Sequence, residues 1–159
     1  MIILGIDPGT TRIGFGIIKK EGSKLLPLHY GLLSLPPPSP GNRFIKNVVN
    51  ELTKLIRTYK PDVAAVEKLF FFKNQKTIIS VSEMRGVILT SLTLSDIPIY
   101  EFTPLQVKQS VSSYGRADKK QVELMVRLIL SLEDKIEPDD AADGLAIAIC
   151  CANNIVNNQ

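Results

Sequence analysis

The chain opens on an unbroken apolar run, Ile2 to Ile6, that stops at Asp7, and after a Gly-Thr-Thr-Arg turn a second apolar run begins at Ile13. Continuous Ile-rich runs separated by turn chemistry predict a β-hairpin over 2–7 and 13–18. Residues 24–35 supply a third strand. The proline-rich LPPPSPG that follows is an extended connector, because proline can join neither a ladder nor a helix interior. Ser39 and Pro40 suit an N-cap and first helical position, and Phe44, Ile45, Val48, Val49, Leu52, Leu55 and Ile56 recur at helical spacing. That helix covers one sheet face. Asp62–Glu67 reads as a short buried fourth strand, and a helix spans roughly Thr77 to Leu94. Ile97–Phe102 forms a fifth strand, and Thr103-Pro104 opens another helix. Asp118 and Gln121 make a capping-box variant ahead of Val122, Met125, Val126 and Ile129, and Pro138 opens a last helix. Strand, helix, strand implies parallel pairing, so the expected fold is α/β: a five-stranded mixed sheet, antiparallel first and parallel later, flanked by helices.

Four acids break this pattern. Asp7 ends MIILGID, Glu67 ends DVAAVE, and Asp140 and Asp143 interrupt DDAADGLAIAI. A carboxylate at an apolar position costs free energy unless it is paired or ligates a metal. Asp140 and Asp143 are three residues apart on one helix face, in the first turns, where the helix dipole favours ionised carboxylates. Asp7 and Glu67 stand at the ends of strands, where open α/β sheets place ligands. Two carboxylates ~4 Å apart at an effective dielectric of ~20 repel by about 4 kcal/mol, so four together call for a cation. Oxygen-only ligation selects hard ions, Mg²⁺ or Mn²⁺ rather than zinc. The chemistry that most uses a pair of such ions is phosphodiester hydrolysis. Taken singly, each acid also has an ordinary reading, Asp7 as a turn residue and Asp140 as a helix-start residue. Together they indicate one site.

Composition narrows the classes. A chain of 159 residues with 45% hydrophobic content forms a single domain over 1–159 that buries about 70% of its unfolded surface. The longest apolar run, Leu145–Ala152, falls far short of the ~20 residues a membrane span requires. Cys150 and Cys151 are adjacent, where a disulfide would be strained, and no zinc spacing surrounds them, so a reduced, cytoplasmic setting is expected. The net charge of +3 points to a polyanionic partner only if the basic residues cluster.

The segments ILGIDPGTTRIGFGII, AAVEKLFFFKN, EMRGV, VKQSV and DDAADGLAIAI, in this order and spacing, closely resemble the RuvC family of Holliday junction resolvases over nearly the whole chain. The resemblance implies a ribonuclease H-like fold and a homodimer that makes paired symmetric nicks in four-way junction DNA with Mg²⁺, two ions per site and Mn²⁺ as a substitute. It further implies a RuvA–RuvB branch-migration complex as partner. The family's catalytic, metal-binding acids fall on Asp7, Glu67, Asp140 and Asp143. Phe70 matches an aromatic placed near the junction centre, where stacking on a base is worth about 1–3 kcal/mol. Phe71 and Phe72 are better read as packing or dimer contacts. Lys108 and Lys119 match basic residues near the scissile phosphate, and Lys68, Lys73, Lys76, Arg116 and Lys120 join them in flanking the acids as a phosphate-binding surface. The 78–94 helix, whose apolar positions exceed one face, is the natural dimer contact. His29 receives no functional role. An actin-like or sugar-kinase-like ATPase, which shares a G-I-D-x-G-T-T loop, needs a second phosphate segment and a much longer chain. A DNA-binding protein without catalysis would not need all four acids, and a YqgF-like protein does not account for EKLFFFKN.

Overall fold

Asp7 and Gly14 face each other across the mouth of an antiparallel hairpin, with β1 (Ile2–Asp7) and β2 (Gly14–Glu21) paired from Ile2↔Lys19 to Asp7↔Gly14. In this computed structural model, which describes residues 1–33, 42–69 and 75–155, β3 (Lys24–Leu32) pairs antiparallel with β2 as the sheet edge. Pro27 sits in that edge strand, beside a register shift at Ile17/Ile18, where its missing N–H leaves no central ladder broken. β4 (Val63–Glu67) and β5 (Ile99–Phe102) add in parallel on the other side of β1, giving the order β3-β2-β1-β4-β5. The mixed sheet expected from the pattern is the one observed. Strand limits differ by a few residues: the second strand starts one residue later and runs to Glu21, and the third ends at Leu32. The expected helix start at Ser39-Pro40 lies outside the described residues.

Side-chain alternation along the strands sorts the core into two layers. Leu4, Ile6, Ile17, Ala64 and Val66 point toward α1 (Asn42–Tyr59) and α2 (Gln75–Thr93), where Val48, Leu52, Ile88 and Leu92 complete a buried cluster. Ile3, Ile18, Val63 and Ala65 point the other way, toward α3 (Pro104–Ser112), α4 (Lys119–Leu130) and α5 (Asp139–Ile155). Both predicted caps form. Thr103 accepts from Gln106 N and Asp118 from Gln121 N, each as a full capping box. The last helix begins at Asp139, one residue after Pro138.

α5 is buried along nearly its whole length, from Ala141 to Ala152 apart from Asp143. It lies unusually close to the sheet because glycines meet at the crossing. A Cβ on Gly5 would stand 2.2 Å from the Gly144 carbonyl oxygen, and one on Gly144 would stand 2.5 Å from the Phe15 carbonyl carbon. Neither position tolerates a side chain without displacing backbone, so the two glycines set the height of the helix above the sheet. Among the described residues no helix is long and apolar enough to cross a membrane.

Candidate active site

Strand parity decides where the first two acids point. Asp7 continues the series Ile3, Gly5, and Glu67 continues Val63, Ala65, so both carboxylates leave the sheet on the α5 side. β1 and β4 are adjacent and parallel, with Ile6 opposite Val66. Asp7 and Glu67 therefore end neighbouring strands at the same level, about one strand spacing (~4.8 Å) apart. The first turns of α5 arrive above this edge. A Cβ on Gly14 would lie 1.8 Å from the Asp140 carbonyl oxygen, so the bare backbone at the start of β2 is what admits Asp140 to this position.

Asp7, Glu67 and Asp143 line one cavity of about 250 Å³, together with Lys108, Lys119, Pro104, Val107, Val122 and Ala146. Two lysines and three acids thus share a recess with apolar walls. Asp140 is not part of that lining. Its Oδ2 lies 2.8 Å from Arg12 Nε, an ion pair at the neighbouring rim. Lys119 Nζ reaches Asp143 Oδ2 at 3.1 Å and Asp139 Oδ2 at 3.0 Å, and Arg12 Nη2 reaches Asp139 Oδ1 at 3.3 Å. The structure therefore brings three of the four acids onto one cavity and sets the fourth beside it.

The electrostatics are those of an under-neutralised cluster. Burial, followed by the charges of Glu67, Asp143 and Asp140, holds the Asp7 carboxyl well above the ordinary aspartate value, with Lys119 pulling the other way. Burial and Asp143 push Glu67 up to about 7, against the opposing charge of Lys108. Asp143 is raised by burial, and by Asp140 and Asp139, although its bond to Lys119 offsets part of this. Partial burial disfavours the Lys119 ammonium, but its bonds to Asp139 and Asp143 outweigh that and raise it above the usual lysine range.

The donor chemistry of this cluster suits a hard divalent cation. The donors are all carboxylate oxygens, and Asp140 Oδ2 is buried without a hydrogen-bond partner among the described residues. The 2.8 Å approach of Arg12 gives that oxygen a nearby charge but not a hydrogen bond of acceptable geometry. As the side chains stand, no three acidic, histidine or cysteine groups among the described residues are gathered tightly enough to hold an ion. Asp143 pairs with Lys119, and Asp140 with Arg12.

Of the predicted phosphate-binding residues, Lys108 and Lys119 line the cavity, whereas Arg116 and Lys120 are exposed at the α3–α4 connection and the start of α4, outside the lining. Phe70 and Lys73 lie outside the described residues, as do Phe71, Phe72 and the side chain of Lys76. His29 packs its ring between Phe15 and Tyr59, with centroids 5.3 and 5.6 Å away, in keeping with a structural residue. Three residues escaped the sequence reading. Arg12 and Asp139 form the rim described above, and Arg85 of α2 donates to the Glu67 carbonyl oxygen at 3.2 Å while pairing with Glu101. Arg85 lies within the EMRGV block, the one signal that marked its neighbourhood. Neither Arg12 nor Asp139 stands at an apolar position, so nothing in the pattern separated them from surface charges.

Residues 3–151 match the model of the family described as crossover junction endodeoxyribonuclease RuvC. A relative of that description from Petrotoga mobilis is 50% identical over 153 residues, covering 96% of this chain and 94% of its own. The structure of Thermus thermophilus RuvC superposes with a TM-score of 0.89 at 32% identity, covering 99% of this chain and 96% of that one. T. thermophilus RuvC in complex with Holliday junction substrate gives 0.87 at 33% identity, covering 96% and 93%. The fold is ribonuclease H-like. With the family model spanning residues 3–151 and a relative 50% identical over nearly the whole chain, the chain belongs to the RuvC family of crossover junction endodeoxyribonucleases.

Proposed function

We propose that this protein is a Mg²⁺-dependent, structure-specific endonuclease, one nuclease domain over 1–159, that resolves four-way DNA junctions by paired symmetric nicks. The observation that carries the reading is the convergence of Asp7, Glu67 and Asp143 with Lys108 and Lys119 on one cavity. Asp7, Glu67, Asp140 and Asp143 would hold two divalent cations, Mg²⁺ by preference and Mn²⁺ in its place, whose chemistry when bound is activation of the attacking water and neutralisation of the leaving oxygen.

The remaining work falls to the chain itself. Val107, Val122, Ala146 and Pro104 form the apolar walls, so charges inside act through a lower dielectric than water's. Lys108 and Lys119 present cationic groups at the cavity, where a scissile phosphate would be drawn in and aligned. Arg116, Lys120 and Lys73 extend that positive surface along the backbone of the DNA, and Phe70 stacks near the junction centre. Arg85 fixes the Glu67 main chain from the opposite face of the sheet, which keeps the strand end from shifting under the cluster's repulsion.

Two opposed nicks need two sites, so the working unit is a homodimer. α2 offers the contact. Gly86 lies mid-helix, and among the described residues nothing stands within 4 Å of where its Cβ would be, although glycine there costs the helix about 1 kcal/mol relative to alanine. No described residue gives a reason for it, and a helix from a second copy crossing closely would. A RuvA–RuvB branch-migration complex, which the family implies, would deliver the junction.

A synthetic four-way junction, incubated with the protein in Mg²⁺ or Mn²⁺ beside linear duplex, tests this. We expect opposed nicks within one binding event, with the duplex spared. Asp7→Asn and Asp143→Asn should each lower cleavage by at least 100-fold, on the order of the effect of losing a single catalytic electrostatic partner, while junction binding in a gel-shift assay persists. A junction left whole in both ions, or variants that lose binding along with cleavage, would overturn the assignment.

A further inference from the structure

Arg12 and Asp139 belong to no part of the machinery above, yet they connect its two basic-acid pairs. Asp139 opens α5, beside Asp140, and receives Arg12 at 3.3 Å on Oδ1 and Lys119 at 3.0 Å on Oδ2. Each of those cations has one further partner, and each of those partners is a candidate metal ligand: Arg12 holds Asp140 at 2.8 Å, and Lys119 holds Asp143 at 3.1 Å. The network joins three elements distant in sequence, the β1–β2 turn, the start of α4 and the first turn of α5.

The consequence is a division between permanent and exchangeable partners. When Asp140 Oδ2 and Asp143 Oδ2, the oxygens that face Arg12 and Lys119, turn to a divalent cation, those ion pairs are given up. A long cationic side chain released into nothing loses its whole interaction. One that keeps a second carboxylate keeps part of it, and moves less. Asp139 is suited to that role because its own side chain is 57% exposed, outside the cavity lining and at a helix N-terminus that favours its ionised form.

Resting on the two-cation reading above, we propose that Asp139 is a positioning residue: it is the resting partner on which Arg12 and Lys119 remain docked while Asp140 and Asp143 exchange them for divalent cations. Arg12 is thereby a built-in competitor of the cation for Asp140, and Asp139 determines how easily that competitor yields.

The test is a double-mutant cycle read by calorimetric titration of Mn²⁺ into the full chain without DNA, so that binding rather than turnover is measured. Asp139→Asn should weaken Mn²⁺ binding about five- to tenfold, since Arg12 and Lys119, left with Asp140 and Asp143 as their sole partners, hold those carboxylates against the cation by about the strength of an exposed ion pair each. In an Arg12→Gln background the same substitution should cost at least about threefold less, because no guanidinium remains to be displaced. Asp139→Ser repeats the test if asparagine alters the start of α5. Equal factors in both backgrounds would mean that Asp139 acts only through its charge at a distance, which overturns the resting-partner role and leaves the active-site assignment intact. Wild-type protein that takes up no Mn²⁺ would overturn the assigned site, and the positioning role with it.

Discussion

Glu67→Gln gives the sharpest physical test of the acid cluster, because it separates the electrostatic strain of the site from its catalysis. In the cation-free folded protein the Glu67 carboxyl is pushed from an ordinary 4.5 up to about 7, chiefly by burial and then by Asp143. The folded state therefore holds a proton that the unfolded chain has already released. Stability from this source is full below pH 4.5 and is lost as the pH rises toward 7. At 1.36 kcal/mol per pH unit, the interval between those two values amounts to about 3 kcal/mol. Asp7 and Asp143 are raised as well, so they steepen the same loss. Asp139 is lowered, and Lys119 is raised from a value already far above neutrality, so neither changes its protonation between pH 4.5 and 7.5. Urea unfolding in EDTA across that window should show the wild type weakening steadily. Glu67→Gln should match it at pH 4.5 and be more stable by about 3 kcal/mol at pH 7.5. Millimolar Mg²⁺ should flatten the wild-type curve and leave the variant's much less changed. Parallel curves for the two proteins would mean that Glu67 ionises in the folded state as freely as in the unfolded one, against the burial described above.

Two further outcomes follow from the packing. Gly144→Ala places a methyl 2.5 Å from the Phe15 carbonyl carbon and 2.8 Å from Gly16 N; lifting α5 to make room should destabilise the protein by about 1–3 kcal/mol in urea unfolding and lower junction cleavage. Unchanged stability would show that the helix is not seated by that contact. Arg85→Ala removes the donor to the Glu67 carbonyl and the ion pair with Glu101, and should destabilise by about 1–2 kcal/mol with a fall in kcat at unchanged junction affinity. A loss of affinity without loss of kcat would place Arg85 on the DNA surface instead.

The elements were legible because their determinants are local. Apolar runs, β-branched residues and capping boxes at Thr103 and Asp118 set strand and helix within a few residues. The strand parity that aims Asp7 and Glu67 at the α5 face is likewise a property of period-two alternation. The acids themselves stood out because a carboxylate at an apolar position has a large solvation penalty that some partner must offset. The basic residues had no such mark, since a lysine on the surface is favourable with or without a role.

What the chain could not disclose by itself is which charge meets which. Arg12 and Asp139 are 127 residues apart in sequence, and Arg85 touches the Glu67 carbonyl only because α2 packs across the back of β4. Those pairings depend on the height of α5 above the sheet, set by Gly5 and Gly144, and on the opening at Gly14 that admits Asp140. Burial and periodicity act over neighbouring residues, which is why the elements and the four acids in need of a counter-charge could be read along the chain. That three acids share a cavity while Asp140 rests on Arg12 followed from the fold alone, because ion-pair energies vary with separations of an ångström or two that the packing of distant segments sets.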